Sequence, residues 1–240
     1  MKKYALVTGT DHGVGLALAG QLAEKNYYVI ACRINPQETQ IDVLAEKYPD
    51  QITIIDLDIS RDESVAQMKE KAEGLVPHLD YVFNVAGILG DMDKVLGEEL
   101  NFDEMMQVFN VNALGTLRVT NALYELIKKG NEKTVVNISS EAGSIGDCWR
   151  EGWFGYCMSK AANNMQTALA HNNLKKEGGR VIAMHPGHVA TYMRGHLDTT
   201  AKITAEQSAE GILKVVFEGD KLSRGDHPDY VDYQGMSLIW

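Results

Sequence analysis

Short apolar segments alternate with helical patterns along almost the whole chain. The strand-like segments are nearly continuous in apolar character, which is typical of parallel strands buried on both faces. They lie at Tyr4–Val7, Tyr28–Ala31, Thr53–Leu57, Tyr81–Val85, Thr134–Ile138 and Val181–His185. Helical patterns lie between them at Val14–Lys25, Gln40–Lys47, Ser64–Glu73, Phe102–Lys128 and Tyr156–Lys176. This alternation predicts an α/β fold, a three-layer doubly wound parallel sheet of about seven strands with helices on both faces.

The length of the chain is compatible with a single domain. At 240 residues it can bury one large α/β core, and length requires no second one. The tail predicts a helix near Ala205–Phe217, a polar loop and a last strand around Met236–Trp240. Because this tail is too short to fold independently, we predict one domain over residues 1–240.

Charge and apolar patterning exclude several classes of function. The net charge is -10, from 33 acidic and 23 basic residues, whereas a nucleic acid partner requires a basic surface. The N-terminal apolar run is too short for a signal peptide, and no run reaches the roughly 18 apolar residues of a membrane span. We therefore predict a cytoplasmic protein with neither a nucleic acid nor a membrane partner.

No metal site is predicted. Cys32, Cys148 and Cys157 lack metal-type spacing and are interpreted as reduced thiols. His185 and His188 share a loop with no acidic partner nearby, which makes a weak ligand set.

A glycine-rich turn follows the first strand. It reads Thr8-Gly9-Thr10-Asp11-His12-Gly13-Val14-Gly15 and leads into an alanine-rich helix. Glycines here let the backbone approach a pyrophosphate, and the helix N-terminus supplies amides and positive potential. The spacing is G-x-x-x-G-x-G rather than G-x-G-x-x-G, and a plain tight turn is the alternative. The position of the turn favours a dinucleotide-binding Rossmann fold, with cofactor contacts from Gly9, Asp11, His12, Gly13, Val14 and Gly15.

The second strand leads into Arg33 rather than into an acidic residue. An acid at this place would bind the adenosine ribose of NAD and repel a 2'-phosphate. Arg33 offers a donor fork suited to a phosphate, and His12 could add a contact. We therefore expect NADP(H) more than NAD(H), although a solvated loop arginine is the alternative.

Polar and small residues follow the third and fourth strands. Open α/β sheets bind ligands at such carboxyl ends, so Asp58, Ile59, Asn84, Ala86 and Gly87 are further candidate cofactor contacts. Helix caps and turns explain the same residue types equally well.

The segment Gly155-Tyr156-Cys157-Met158-Ser159-Lys160 sets a phenol and an ammonium one helical turn apart. Such a pair alone is usually incidental. The chain also contains the glycine turn, Asn84-x-Ala86-Gly87, Asn112 in VNALG, Ser139 in NISS, and Pro186-Gly187, in this order. Together these motifs resemble the short-chain dehydrogenase/reductase family in its compact form. Position 85 is valine, whereas the family more often has a second asparagine.

The resemblance implies a catalytic tetrad of Asn112, Ser139, Tyr156 and Lys160, in an NADP-dependent alcohol dehydrogenase or carbonyl reductase. A phenol has a pKa near about 10 and is a poor base unless its anion is stabilised, which Lys160 can do. Ser139 would hydrogen-bond the substrate oxygen. By resemblance, Asn112 holds a relay water, and Tyr156 and Lys160 also contact the cofactor.

By the same resemblance, Pro186, Gly187, Val189 and Thr191 lie beside the nicotinamide. The cofactor half would cover about 1–135 and the catalytic and substrate half about 136–240. The substrate would be a small carbonyl or alcohol compound contacted by Trp149, Trp153, Tyr192 and Met193.

The closing VDYQGMSLIW and HPGHVATYM are similar to a subgroup that includes sniffer-type carbonyl reductases and C-signal proteins. The family resemblance implies a homodimer or homotetramer formed through the two long helical segments, although packing on the sheet explains their apolar stripes equally well. Two alternatives are a non-catalytic dinucleotide-binding signalling or regulatory protein and a sugar-nucleotide epimerase or dehydratase, but the latter has a different glycine spacing and a larger C-terminal region.

Overall fold

Seven strands form one parallel sheet in the computed structural model, which describes residues 2–218, 222 and 227–240. The strands are β1 Tyr4–Thr8, β2 Tyr28–Arg33, β3 Ile52–Asp56, β4 Tyr81–Asn84, β5 Thr134–Ile138, β6 Arg180–His185 and β7 Asp229–Asp232. Their order is β3-β2-β1-β4-β5-β6-β7. The chain direction across the sheet reverses between β1 and β4, and open sheets bind ligands in the crevice at such a point.

Helices cover both faces of this sheet. They are α1 Gly13–Glu24, α2 Gln40–Lys47, α3 Asp62–Leu75, α4 Phe102–Phe109, α5 Thr116–Ala122, α6 Tyr124–Lys129, α7 Phe154–Leu174 and α8 Ala205–Glu218. The predicted doubly wound α/β fold is therefore confirmed. No described helix combines the length and the apolar character that crossing a membrane requires.

Each strand supplies side chains to two apolar layers, because successive residues point to opposite faces. Along β2, Val29 and Ala31 pack with α1, α2 and α8, whereas Ile30 and Cys32 pack on the opposite face with α3, α5, α6 and α7. Both faces are thus occupied by helices, so a ligand site is left to the ends of the strands, and open α/β sheets bind ligands at the carboxyl ends.

The predicted helix Phe102–Lys128 is interrupted. A π-helical segment, Asn110–Gly115, separates α4 from α5, and Leu123, with ψ near 0°, separates α5 from α6. A Cβ on Gly115 would lie 2.8 Å from Ile59 Cγ1, so glycine lets the π segment approach the loop after β3.

The last strand lies earlier than predicted. β7 spans Asp229–Asp232, and Met236–Trp240 instead returns beside it through an antiparallel bridge between Val231 and Ser237. The prediction was wrong because two apolar residues between aspartates gave a weaker pattern than the final apolar run. The predicted polar loop before it falls partly outside the described residues.

Candidate active site

A cleft of about 1030 Å³ opens at the carboxyl ends of the strands. Among the predicted contacts, its wall contains Gly9, Asp11, His12, Gly13, Val14, Gly15, Asp58, Ile59, Ala86, Gly87, Ser139, Trp149, Trp153, Tyr156, Lys160, Pro186, Gly187, Val189, Thr191 and Met193. Segments distant in sequence therefore meet in one cleft. Arg33, Asn84, Asn112 and Tyr192 lie outside its wall.

The glycine turn forms one end of this cleft. Gly9 and Gly13 have φ of +69° and +61°, a conformation that favours glycine. A Cβ on Gly15 would lie 2.1 Å from the Gly9 carbonyl oxygen, so no side chain fits there. His12 precedes α1 in an extended conformation and makes no side-chain cap hydrogen bond. The turn and the first amides of α1 therefore fit the pyrophosphate of a dinucleotide.

The Arg33 side chain is bound to two carboxylates rather than directed into the cleft. Its Nη1 donates to Asp42 Oδ2 at 2.6 Å and its Nε donates to Asp56 Oδ1 at 2.9 Å. The next two residues, Ile34 and Asn35, do line the cleft, and their amides donate to the Asp11 carboxylate. Arg33 is thus at the cleft rim, and its predicted phosphate contact stays a prediction.

Asn84 is part of an internal polar network. Its Nδ2 donates to Thr120 Oγ1 at 3.0 Å and to Asn137 Oδ1 at 2.8 Å, and Asn137 in turn donates to Thr167 on α7. Asn84 therefore joins β4 to β5 and to α5 behind the cleft wall, and its predicted cofactor contact stays a prediction. Side-chain alternation explains this position, because Asn84 points toward the helices that cover β4 and β5.

Tyr156 and Lys160 are both buried on the first turns of α7, with exposed fractions of 7% and 3%. Lys160 Nζ donates to the Ile138 carbonyl oxygen at 2.8 Å and lies 5.6 Å from the Tyr156 ring centroid. Burial raises the pKa of Tyr156 to about 12 and lowers the pKa of Lys160 to about 8. Both shifts favour the neutral form of the side chain, because burial disfavours charge.

The two serines after β5 point in different directions. Ser139 Oγ donates to Asn164 Oδ1 at 2.5 Å and is almost fully buried. A hydrogen bond with Ser140, by contrast, lowers the pKa of Tyr156 against the larger effect of burial. Ser140 Oγ also accepts from the Ala142 amide at 3.2 Å, which caps a short 3₁₀ turn at Glu141–Gly143. The serine that lies beside the Tyr156 hydroxyl is therefore Ser140, and the predicted contact of Ser139 with the substrate oxygen stays a prediction.

Asn112 is fully buried in the π-helical segment, behind the cleft wall. Its Oδ1 accepts from the Ile88 amide at 2.9 Å, and its Nδ2 donates to the Ile88 carbonyl at 2.8 Å and to Ser159 Oγ at 3.0 Å. Ser159 Oγ donates in turn to the Tyr156 carbonyl oxygen at 2.7 Å. Asn112 thus joins the loop after β4 to the helix that carries Tyr156, and its predicted relay role stays a prediction.

An aromatic and cationic cluster lies beside Tyr156. The Arg150 guanidinium lies 4.5 Å and 4.8 Å from the Trp149 and Trp153 ring centroids, and its two terminal nitrogens donate to both carboxylate oxygens of Glu141. Trp153 has φ of +63°, a strained value for a non-glycine residue, and its ring lies 6.1 Å from that of Tyr156.

The side chains of the loop after β6 are divided between two places. Met193 lines the cleft, and Arg194 lies 5.9 Å from the Trp153 ring centroid. Tyr192 is exposed and lines a separate hollow between α1, α2 and the start of α8, and its predicted substrate contact stays a prediction. Adjacent loop residues point in opposite directions, which composition alone does not show.

Sequence reasoning missed Ser140 and the Glu141–Arg150 ion pair. The adjacency of two serines hid the first, although alternation along β5 groups Ser139 with the inward-facing Asn137. No periodic pattern predicts the ion pair, because its partners lie nine residues apart, one in a short 3₁₀ turn and the other in a loop.

The fold and the glycine-lined cleft are those of a dinucleotide-binding protein. The sequence model of the short chain dehydrogenase family matches residues 3–202, and the chain belongs to this family. The family resemblance inferred from the motifs is therefore confirmed.

Known relatives cover most or all of the chain. It is 32% identical to 1-hydroxy-2-glutathionyl-2-methyl-3-butene dehydrogenase of Rhodococcus sp. strain AD45, over 98% of both chains. It is 34% identical to C-signal of Myxococcus xanthus, over 68% of this chain and 93% of that protein. NADPH-bound carbonyl reductase from chicken fatty liver superposes with a TM-score of 0.88 at 30% identity, over 100% of this chain and 99% of the other.

Proposed function

We propose that the chain is an NADP(H)-dependent carbonyl reductase that also oxidises the corresponding alcohol, with Tyr156 as general acid and base. The observation that carries the proposal is the buried Tyr156–Lys160 pair in the wall of the cleft that contains the glycine turn. The similar carbonyl reductase from chicken fatty liver binds NADPH, which supports NADP(H) over NAD(H). Cytoplasmic location, a homo-oligomer and the division into cofactor and substrate halves stay predictions.

The residues present fit a nicotinamide dinucleotide. The Gly9–Gly15 turn would hold the pyrophosphate, because a side chain at Gly15 would collide with the Gly9 carbonyl. The loop residues Asp58, Ala86 and Val189 would line the rest of its path. When bound, the cofactor supplies the hydride that reduces a carbonyl carbon.

Tyr156 is suited to donate the proton that this reduction requires. With a pKa of about 12 the phenol keeps its proton at neutral pH, and donation to the carbonyl oxygen leaves a phenolate. Lys160, with a pKa of about 8, is mostly protonated at neutral pH and can stabilise that phenolate electrostatically. Ser140 would donate to the same carbonyl oxygen and fix its position.

The cluster beside Tyr156 supports an aromatic or apolar carbonyl substrate. Trp149 is 74% exposed and Trp153 lies against the Tyr156 ring, so both offer surface on which a planar group can stack. Arg150 is already paired with Glu141, so we expect it to position the two indoles more than to bind an anionic substrate.

The test compares Tyr156→Phe with wild type, using loss of NADPH absorbance on a panel of aromatic aldehydes, ketones and quinones. The variant should lose at least about 10²-fold in turnover, because a positioned acid contributes roughly 10²–10⁴-fold. NADPH binding, followed by protein fluorescence, should persist. Tyr192→Phe is the matched control, since Tyr192 lies outside the cleft wall and should turn over normally. Equal turnover in both variants would show that Tyr156 is not the acid.

No observation favours the non-catalytic alternative. A signalling protein would tolerate a phenylalanine at position 156, whereas here the phenol is buried with an amine in the cleft at an energetic cost to both groups. NADPH binding without turnover on any carbonyl compound would revive that alternative.

A further inference from the structure

Arg33 belongs to a charge cluster at the rim of the cleft. Asp42, in the first turn of α2, accepts from Nη1, and Asp56, the register partner of Arg33 on β3, accepts from Nε. Only 14% of the Arg33 side chain is exposed. The guanidinium is therefore held between two carboxylates, one from a helix and one from the neighbouring strand.

The charge of this cluster works against anions. One guanidinium and two carboxylates sum to a net charge of -1 at neutral pH, with both carboxylates partly exposed at 40% and 61%. A phosphate monoester carries about -1.5 to -2 charges. The acidic Asp11 and Glu38 also line the adjacent part of the cleft. Arg33 therefore attracts a 2'-phosphate much less strongly than an unpaired arginine would.

We infer that Asp42 is a specificity-determining residue for the cofactor, because it holds Arg33 Nη1 toward α2 and weakens the selection of NADPH over NADH. This inference rests on the proposed function, since it assigns the 2'-phosphate to the Arg33 rim. Asp42 acts through Arg33 and is a positioning residue. Asp56 is less suited to this role, because it accepts only from Nε and does not bind either terminal nitrogen of Arg33.

The experiment titrates NADPH, NADH and adenosine 2',5'-bisphosphate against wild type and Asp42→Asn, by calorimetry. This near-isosteric change removes one charge from a partly exposed site. Affinity for the two 2'-phosphorylated ligands should rise about three- to ten-fold, the range expected for a solvent-screened charge a few ångströms away, while NADH affinity stays within about two-fold. The gain should shrink in high salt.

Two further variants separate the role of Arg33 from general electrostatics. Glu46→Gln removes the same charge from an exposed position one turn further along α2 and should change the NADPH to NADH affinity ratio by less than about two-fold. In an Arg33→Ala background, Asp42→Asn should change this affinity ratio no more than Glu46→Gln does, because no guanidinium is left for the loss of Asp42 to release. Thermal unfolding checks that each variant is folded.

The inference is overturned if Asp42→Asn leaves NADPH affinity unchanged or weakens it, which would mean that Asp42 orients Arg33 productively. It is also overturned if NADH affinity rises equally, or if the gain survives in Arg33→Ala. These measurements require no turnover, so absence of carbonyl reduction would contradict the proposed function without altering the binding result. If wild type binds only NADH, new NADPH binding by Asp42→Asn supports the inference and continued lack of it overturns the inference.

Discussion

Substitution of each of the two adjacent serines should have a different consequence, although their side chains are identical. Ser140 hydrogen-bonds Tyr156, so Ser140→Ala removes a donor from the position where the substrate oxygen accepts a proton. Loss of one such preorganised donor costs about 10²–10³-fold in kcat, or about 2.7–4 kcal/mol of transition-state stabilisation. Its effect on folding should be limited to the loss of one hydrogen bond, from the Ala142 amide to Ser140 Oγ, which costs about 0.5–1.5 kcal/mol.

Ser139→Ala should instead cost stability. The hydroxyl donates at 2.5 Å to Asn164 Oδ1 in a buried site, and its removal leaves that oxygen without this donor. An unsatisfied buried acceptor costs about 1–3 kcal/mol. For a chain of this size each kcal/mol lowers Tm by about 2–4 °C, so a fall of roughly 2–12 °C is expected. Asn164 Nδ2 still donates to the Gly143 carbonyl oxygen, so its side chain should stay in place.

The assay measures kcat and KM by NADPH absorbance and Tm by calorimetry on both variants. We expect Ser140→Ala to lose turnover with a fall in Tm of only a few degrees, and Ser139→Ala to lose more Tm while turnover falls by less than about ten-fold. The opposite pattern, with turnover lost in Ser139→Ala and kept in Ser140→Ala, would refute the assignment of Ser140 as the partner of Tyr156.

Three further predictions concern burial and packing. Burial lowers the pKa of Lys160 from 10.5 to about 8, so between these values the unfolded chain holds more protons and the stability of wild type rises with pH. Lys160→Met lacks this buried amine, so its free energy of unfolding in urea should exceed that of wild type by up to roughly 3 kcal/mol at neutral pH. The difference should close toward pH 10.5. A pH-independent gap would contradict this. Exposed apolar side chains on α4 and α7 predict a homo-oligomer, so Met165→Lys, at a site 63% exposed, should reduce the mass measured by sedimentation, and a monomeric wild type would exclude it. Gly15→Ala should abolish NADPH binding in calorimetry because its Cβ would lie 2.1 Å from the Gly9 carbonyl, whereas Gly74→Ala, with no atom within 4 Å, should bind normally.

The fold could be predicted from sequence wherever one segment carries its own pattern. The predicted bounds of β5 and α2 coincide with those of the structure. β7 could not be located this way, because its two buried residues, Tyr230 and Val231, are too few to show a pattern. What holds this strand is distant in sequence: the Tyr230 hydroxyl donates to the Ser140 carbonyl oxygen at 2.6 Å. Contacts of this kind appear only once the sheet order is known.

The site divides in the same way. Tyr156 and Lys160 lie on one helix, so their spacing alone predicts that they are neighbours. Alternation along β5 shows that Ser139 and Ser140 point to opposite faces of the sheet. It does not show which of these faces is covered by a helix and which is open to the cleft. Arg33 was correctly placed at the end of β2, but its two carboxylate partners come from α2 and β3. Contacts between separate elements therefore decide how many hydrogen-bond donors of a charged side chain remain free to bind a ligand.

Burial of Tyr156 with Lys160 sets a direction for the proposed chemistry. A phenol with a pKa of about 12 holds its proton throughout the physiological range, so it is ready to act as the acid in carbonyl reduction. Alcohol oxidation needs the phenolate, and a buried phenolate is disfavoured unless a positive charge lies nearby. Lys160 supplies the charge only while protonated, and with a pKa of about 8 it begins to lose its proton in mildly alkaline solution. Rising pH therefore favours the phenolate and removes its stabilising charge at the same time, which makes reduction the less demanding direction for this pair.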